Sequence, residues 1–300
     1  MTMQALQQFI GRQMVSAGAL TALAAALDAK ASGTPLEPKL AQRIQALLET
    51  LDAGALLDDI GPQEAATLRS MIRAMYLLDA KLLFPQTRSC GWSHAEPELL
   101  QSMGETARIH AHTVTREIVP ACEGLAERFS APGARLLDVG VGVAGTAIAL
   151  AQMWPELSIV GIDPWQPSLR LARENVDRAG LAERIELREQ GVETLGDSAA
   201  FDYVYFANTF IPERFVRAGL ERALSALRPG GWISIAATNA AAPAPVSALF
   251  RLRETQWGGP VWSSAEGERV LRDTGFVEVR TLPMPPTALT SWVLGRRKSA

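Results

Sequence analysis

The run Leu136-Leu137-Asp138-Val139-Gly140-Val141-Gly142-Val143-Ala144-Gly145 holds the residue types and spacing that speak most directly of chemistry. Glycines in such a run permit a tight turn, let a ligand lie against bare backbone, and aim the first N–H groups of a following helix at it. Taken literally, Gly140, Gly142 and Gly145 form the Gly-x-Gly-x-x-Gly spacing of dinucleotide-binding loops. Asp138 argues for another ligand. Two positions before the first glycine the chain still belongs to a buried strand, and a carboxylate there is costly unless it is paired or faces a ligand. An acid at that place suits a ligand that offers a cation.

With Asp138 ahead of Gly140-x-Gly142, the chain resembles the class I S-adenosylmethionine-dependent methyltransferases, whose first motif is an acidic residue followed by Gly-x-Gly. Their cofactor carries a cationic amino group and no pyrophosphate; Ala144 stands at the third small position, where glycine is commoner. The resemblance continues through Ile159-Val160-Gly161-Ile162-Asp163-Pro164-Trp165, whose acid lies 23 residues after Gly140. It implies that Asp163 takes both ribose hydroxyls, work a carboxylate can do bidentately, and that Pro164 and Trp165 flank the adenine. Glu189-Gln190-Gly191-Val192 matches the segment after the third strand; Gly191 replaces the common acid, so the backbone N–H of Val192 is the implied adenine contact. Phe201–Asn208 matches the fourth strand, whose end faces cofactor and acceptor and makes Asn208 a further candidate. Leu227-Arg228-Pro229-Gly230-Gly231 matches a structural turn in which proline presets one corner and glycine supplies positive φ at the next. The resemblance these segments carry covers residues 130–300 and leaves residues 1–129 aside.

Methyl transfer from a sulfonium is an in-line displacement by a donor already activated. Holding nucleophile, methyl and sulfur in line can be worth about 7–11 kcal/mol, and a general base is needed only for a protonated or weakly nucleophilic acceptor. No single catalytic side chain is therefore required. His94 is the candidate, because it sits with Arg88, Cys90 and Trp92 in an irregular connector between Phe84 and Glu98. Arg88, Trp92 and Phe210 are candidate acceptor contacts; Arg108 and Arg116 add guanidiniums that bind carboxylates well, and Trp257 and Trp262 add possible walls. His110 and His112 share no helix face, so no metal site is expected. Asn208-Thr209-Phe210 stands where methyltransferases of amines in nucleic acid or protein carry Asn/Asp-Pro-Pro-aromatic. Both prolines are missing, which favours a small-molecule acceptor.

The elements that must position these residues fall into two texts. Residues 1–129 read as an all-helical N-terminal domain, with Ile44, Leu47, Leu48 and Leu51 on one helix and Leu68, Met71, Ile72, Met75, Leu78 and Leu82 on another. Residues 130–300 alternate short apolar runs with helical periods, an α/β pattern of Rossmann-like, doubly wound form. Its sheet should be mostly parallel, with one antiparallel strand near the end, where 276–282 and 288–296 follow each other without a helix. The helical domain is expected to cover the acceptor, with room for a homodimer through its helices. Leu6, Phe9, Ile10, Leu20, Leu23 and Leu27 suggest an amphipathic helix packed on the rest of the chain in preference to a signal peptide, and no stretch reads as a membrane span.

Across 300 residues, 48% hydrophobic and 20% charged content fits a globular protein with a real core. Lys and Arg number 29 against 32 Asp and Glu, a net charge of −3. That gives no bulk attraction to nucleic acid or an anionic membrane. Two cysteines without metal-like spacing point to a reducing cytoplasm. The expected activity is S-adenosylmethionine-dependent methyl transfer to the oxygen, nitrogen or sulfur of an amino-acid-like or specialised metabolite. An NAD(P)-dependent oxidoreductase and a non-catalytic S-adenosylmethionine-binding module are the alternatives.

Overall fold

The computed structural model describes residues 2–84, 86 and 90–299. The chain divides into two compact units, Met1–Thr87 with Gln101–Thr106, and Arg88–Leu100 with Ala107–Ala300.

The first unit is helical: α1 (Met3–Ser32), α2 (Pro38–Thr50) and α3 (Pro62–Leu83). Prolines open α2 and α3, where a missing N–H costs nothing, and Glu37 caps α2 by accepting from the N–H groups of Lys39 and Leu40. Leu27, Ala65 and Ile72 form the small core, with Leu23, Leu68 and Tyr76 against it. The expected packing of α1 is only half met. Leu23 and Leu27 are covered, but Leu6, Phe9, Ile10 and Leu20 are exposed. By length and composition α1 is also apolar enough to cross a membrane, which the sequence reading missed. Its many alanines dilute the run without adding charge.

The second unit holds a seven-stranded sheet in the order β3-β2-β1-β4-β5-β7-β6. The strands are β1 (Arg135–Val139), β2 (Ser158–Asp163), β3 (Ile185–Glu189), β4 (Phe201–Phe206), β5 (Leu227–Thr238), β6 (Val277–Leu282) and β7 (Thr290–Arg296). β1 to β5 pair in parallel, and β7 runs antiparallel to both β5 and β6, as the missing crossover helix predicts. β4 is buried at every position and β5 nearly so, as befits strands covered on both faces; β3 and β6 are the partly exposed edges.

Before the sheet come α4 (Pro97–Thr113), a π-helical turn at Val114–Ile118, α5 (Val119–Ala121) and α6 (Leu125–Phe129). Within and after the sheet come α7 (Gly145–Met153), α8 (Gln166–Arg178), α9 (Glu213–Ala226), α10 (Ala244–Trp257) and α11 (Ser264–Thr274). Two cores result. One joins Val114, Ile118, Phe129, Ala147, Leu150 and Leu169 to one sheet face; the other joins Val216, Leu220, Ala223 and Leu271 to the opposite face.

The chain runs outward from β1 to β2 and β3, then returns to place β4 on the other side of β1. That reversal opens a crevice beyond the carboxyl ends of β1 and β4, the place where open α/β sheets bind ligands.

Candidate cofactor and acceptor site

The crevice floor is the glycine turn. After Val139 the backbone takes left-handed φ values at Gly140 (79°), Gly142 (57°) and Ala144 (67°), then enters α7. The N–H groups of Gly140 and Val141 both donate to the Ile162 carbonyl, at 2.9 and 3.1 Å, tying the turn to the end of β2. Asp163 completes the tie. Its Oδ2 accepts from the Gly142 N–H at 3.0 Å and its Oδ1 from the Trp165 N–H at 2.8 Å. Burial raises its pKa and these two bonds oppose the rise. Each oxygen keeps a second lone pair for a ligand hydroxyl.

Asp138 is 2% exposed, and its Oδ2 has no hydrogen-bond partner among the described residues. Burial, with the Asp163 charge behind it, pushes its pKa up to about 7. Its register neighbours are Gly161 on β2 and Tyr205 on β4. The Tyr205 hydroxyl hydrogen-bonds to Nδ1 of His110 at 2.8 Å, and burial pushes that imidazole down to about 4, leaving it neutral. The imidazole bonded to Tyr205 thus brings no positive charge to this row. A buried, uncompensated carboxylate beside a bare-backbone turn fits the amino group of S-adenosylmethionine and would repel a pyrophosphate.

The remaining cofactor candidates ring the same end of the sheet. Pro164 is exposed, and Trp165 is half-buried with its indole N–H donating to the His94 carbonyl at 2.7 Å. Glu189 pairs in register with Asp163, and the Gln190 N–H donates to the Asp163 carbonyl at 3.2 Å, which brings Gly191 alongside. Val192 is buried and packs its side chain into the core beneath. Asn208 is fully buried, and its amide clamps β5: Nδ2 donates to the Ala236 carbonyl at 3.0 Å and Oδ1 accepts from the Ala236 N–H at 2.7 Å.

Residues 90–96 are tied at two points to the elements around the crevice. At one end the Gly91 N–H donates to the Gln256 carbonyl at 3.0 Å; at the other, His94 receives Trp165. Gly91 and Gly258 pack so closely that a Cβ on Gly258 would stand 2.4 Å from the Gly91 Cα. Trp92 meets His94 edge-on at 5.0 Å and Phe210 edge-on at 5.2 Å, and Phe210 lies 4.8 Å from Trp257. His94, Trp92 and Phe210 are thereby brought together, with His94 buried. Arg88 lies outside the described residues. No group of His, Cys, Asp and Glu suited to a metal occurs among the described residues.

Glu254 went unread in the sequence. It is fully buried on α10, with Oε2 accepting from the Thr238 hydroxyl at 3.3 Å. The spacing of Phe250, Glu254 and Trp257 at four and three residues was the available signal, obscured by the prolines around 243–245.

Residues 136–231 match a family model described as a methyltransferase domain. L-tyrosine C(3)-methyltransferase of Streptomyces lavendulae is 28% identical over 193 residues, 61% of this chain and 50% of that protein. The chain thus spans about half the length of that relative. An O-methyltransferase family protein from Burkholderia thailandensis superposes with a TM-score of 0.66 at 16% identity, over 100% of this chain and 99% of its own. Human N-acetylserotonin methyltransferase, solved in complex with S-adenosylmethionine, superposes with a TM-score of 0.64 at 15% identity over 98% of each chain. At such identities these likenesses concern the fold.

Proposed function

We propose that this chain, built around a class I S-adenosylmethionine-dependent methyltransferase domain, moves the cofactor's methyl group to a small-molecule acceptor. The observation that carries this reading is the Oδ2 of Asp138, buried beside the glycine turn without a partner among the described residues. S-adenosylmethionine, when bound, supplies a methyl group already activated on a sulfonium. The chain's own residues bind and orient: Asp138 takes the amino group, the 140–144 turn lies under the methionine part, and Asp163 holds the ribose hydroxyls. Pro164, Trp165, Gly191 and Val192 border the adenine. Trp92, His94 and Phe210 wall the acceptor and keep water from the reacting atoms, so that rate comes chiefly from proximity and alignment. The relative that acts on L-tyrosine supports an aromatic or amino-acid-like acceptor.

Residues 1–129 serve in this reading as acceptor cover and dimer contact. The exposed Met3, Phe9, Ile10, Met14 and Val15 of α1 offer apolar surface for a homodimer face. Net charge and cysteine content support a cytoplasmic protein without nucleic-acid partners.

Calorimetry with S-adenosylhomocysteine, then transfer of labelled methyl into a metabolite extract, tests the activity. Binding that weakens at least ten-fold in Asp138→Asn and Asp163→Ala, together with a labelled small molecule, is the expected result. Stabilisation by NAD and none by S-adenosylhomocysteine would overturn it. Light scattering and vesicle co-sedimentation test the dimer face: a monomer that pellets with vesicles refutes it.

A further inference from the structure

One turn of α10 holds buried polar atoms for which the described residues provide no hydrogen bond, among them Oε1 of Glu254, an acceptor, and Nε1 of Trp257, a donor. Three residues apart, they project from one side of the helix. Glu254 is 0% exposed at the carboxyl end of β5, where its other oxygen meets Thr238. Burial pushes its pKa up to about 7, with Thr238 and the Arg251 charge opposing the rise. A core position filled this way is worse than an apolar one unless something completes it.

The surroundings indicate what completes it. Trp257 packs against Phe250 at 6.0 Å and Phe210 at 4.8 Å, and Phe210 against Trp92 at 5.2 Å. This ladder of rings leads from α10 to the residues that follow β4, the acceptor side of the crevice. The backbone closes the same corner: the Gly259 N–H donates to the Thr209 carbonyl at 3.1 Å, and a Cβ on Gly259 would stand 2.3 Å from that oxygen. A ligand hydroxyl has the chemistry that both orphaned atoms call for, since it can accept from the indole N–H and donate to the carboxylate. An ammonium cannot accept from the indole, and a carboxylate would face Glu254 with like charge. Aromatic walls favour a flat, apolar body for the same ligand.

We propose that Glu254 and Trp257 form a hydroxyl-reading subsite that selects aromatic acceptors bearing a hydroxyl group. The proposal rests on the methyl-transfer reading and names its substrate class.

The test uses full-length protein saturated with S-adenosylhomocysteine and calorimetric titration of phenol, 2-naphthol and 9-phenanthrol, each beside the analogue with fluorine in place of the hydroxyl. At least one hydroxyl compound should bind ten-fold or more tightly than its fluoro partner. Glu254→Gln and Trp257→Phe should each cut that preference at least five-fold while the dissociation constant of S-adenosylhomocysteine stays within two-fold. Ligand-free Glu254→Gln should melt at or above the wild-type temperature, because it removes a buried acid one of whose oxygens has no partner among the described residues. Three results overturn the subsite: none of the three hydroxyl compounds binds, the preference survives both substitutions, or Glu254→Gln melts several degrees lower because internal bonds or a buried water already satisfy the carboxylate. Should Glu254→Gln fail to fold, Trp257→Phe keeps the ring and decides alone. Failure to bind S-adenosylhomocysteine refutes the methyl-transfer reading instead, so the two failures are distinct.

Discussion

Gly161 on β2 faces Val141 of the glycine turn so closely that a methyl group on its α-carbon would stand 2.6 Å from the valine Cγ2. The missing side chain lets the turn settle onto β2, where the Ile162 carbonyl collects two of its N–H groups. Gly161→Ala is therefore expected to push the turn off β2. Overpacking of this kind costs about 1–3 kcal/mol of stability, and S-adenosylhomocysteine should bind on the order of ten-fold more weakly, since about 1.4 kcal/mol of displaced contact suffices. Chemical denaturation and calorimetry on the same variant check both; unchanged binding would show that the turn does not form the cofactor floor.

If Asp138 holds the cofactor as proposed, it links cofactor binding to pH. Its folded pKa lies near 7, against 3.8 for the free side chain. Between those values the folded protein keeps a proton that the unfolded chain has released, so the ligand-free protein loses stability as pH rises from about 4 to about 7 and levels off above. Glu254, also raised to about 7, adds to the same slope. Asp138→Asn removes one of these contributions and leaves those of Glu254 and Asp163, whose pKa burial also raises. Ligand-free, that variant should be more stable than wild type at pH 8, by about 1–4 kcal/mol, with a shallower slope between pH 4 and 7. Its affinity for S-adenosylhomocysteine should fall by about 1.5–3 kcal/mol, the worth of a hydrogen bond to a charged group. Wild-type affinity should climb to about pH 7 as the carboxylate ionises, and the variant's should not. Melting curves and titrations across pH 5–8 measure both, and parallel profiles would remove Asp138 from the site.

Much of this site was legible because its residues obey spacing rules. Alternating strands and helices dictate a parallel sheet, and a parallel sheet that reverses beside β1 dictates a crevice at Asp138 and Gly140. The turn at Pro229 and Gly230 was legible as chemistry, with Gly230 at φ 73°, but not as topology. It is a kink inside β5, which already begins at Leu227 and shifts register against β4 between Phe201 and Tyr203. α10 was hidden because its buried face carries Arg253 and Glu254, so apolar periodicity fails where the helix packs best. The clamp of Asn208 on Ala236 and the closeness of Gly91 to Gly258 are long-range contacts, which no local pattern encodes.

The opposite end of β4 supplies a control. Asp202 is 3% exposed and accepts from Arg228 at 2.7 Å, Arg128 at 3.3 Å and the Arg135 backbone N–H at 2.9 Å. The two arginines keep about a third of their side chains in water, which screens the ion pairs, so the lost hydrogen bonds set the scale. Asp202→Ala should cost about 1–3 kcal/mol of stability. It should leave S-adenosylhomocysteine affinity within two-fold at temperatures where the protein is folded. A large affinity loss would mean that the ends of the sheet are coupled.

Ala144 carries the conformational strain of the turn. It is fully buried with φ at 67°, a region that costs a non-glycine residue about 1–2 kcal/mol. Glycine at this position would relieve that strain while giving up one buried methyl and gaining freedom in the unfolded chain, which offset part of the relief. Ala144→Gly is therefore expected to change stability by between 0 and about +1 kcal/mol, and to leave the fold intact. Binding separates the two roles the alanine plays. If the methyl group only fills the gap behind the turn, the variant binds S-adenosylhomocysteine as wild type does. If the methyl group holds the turn in its binding shape, affinity falls although stability does not. Denaturation midpoints read against calorimetric affinity decide, and a clear loss of stability would show that the left-handed backbone at Ala144 is not strained.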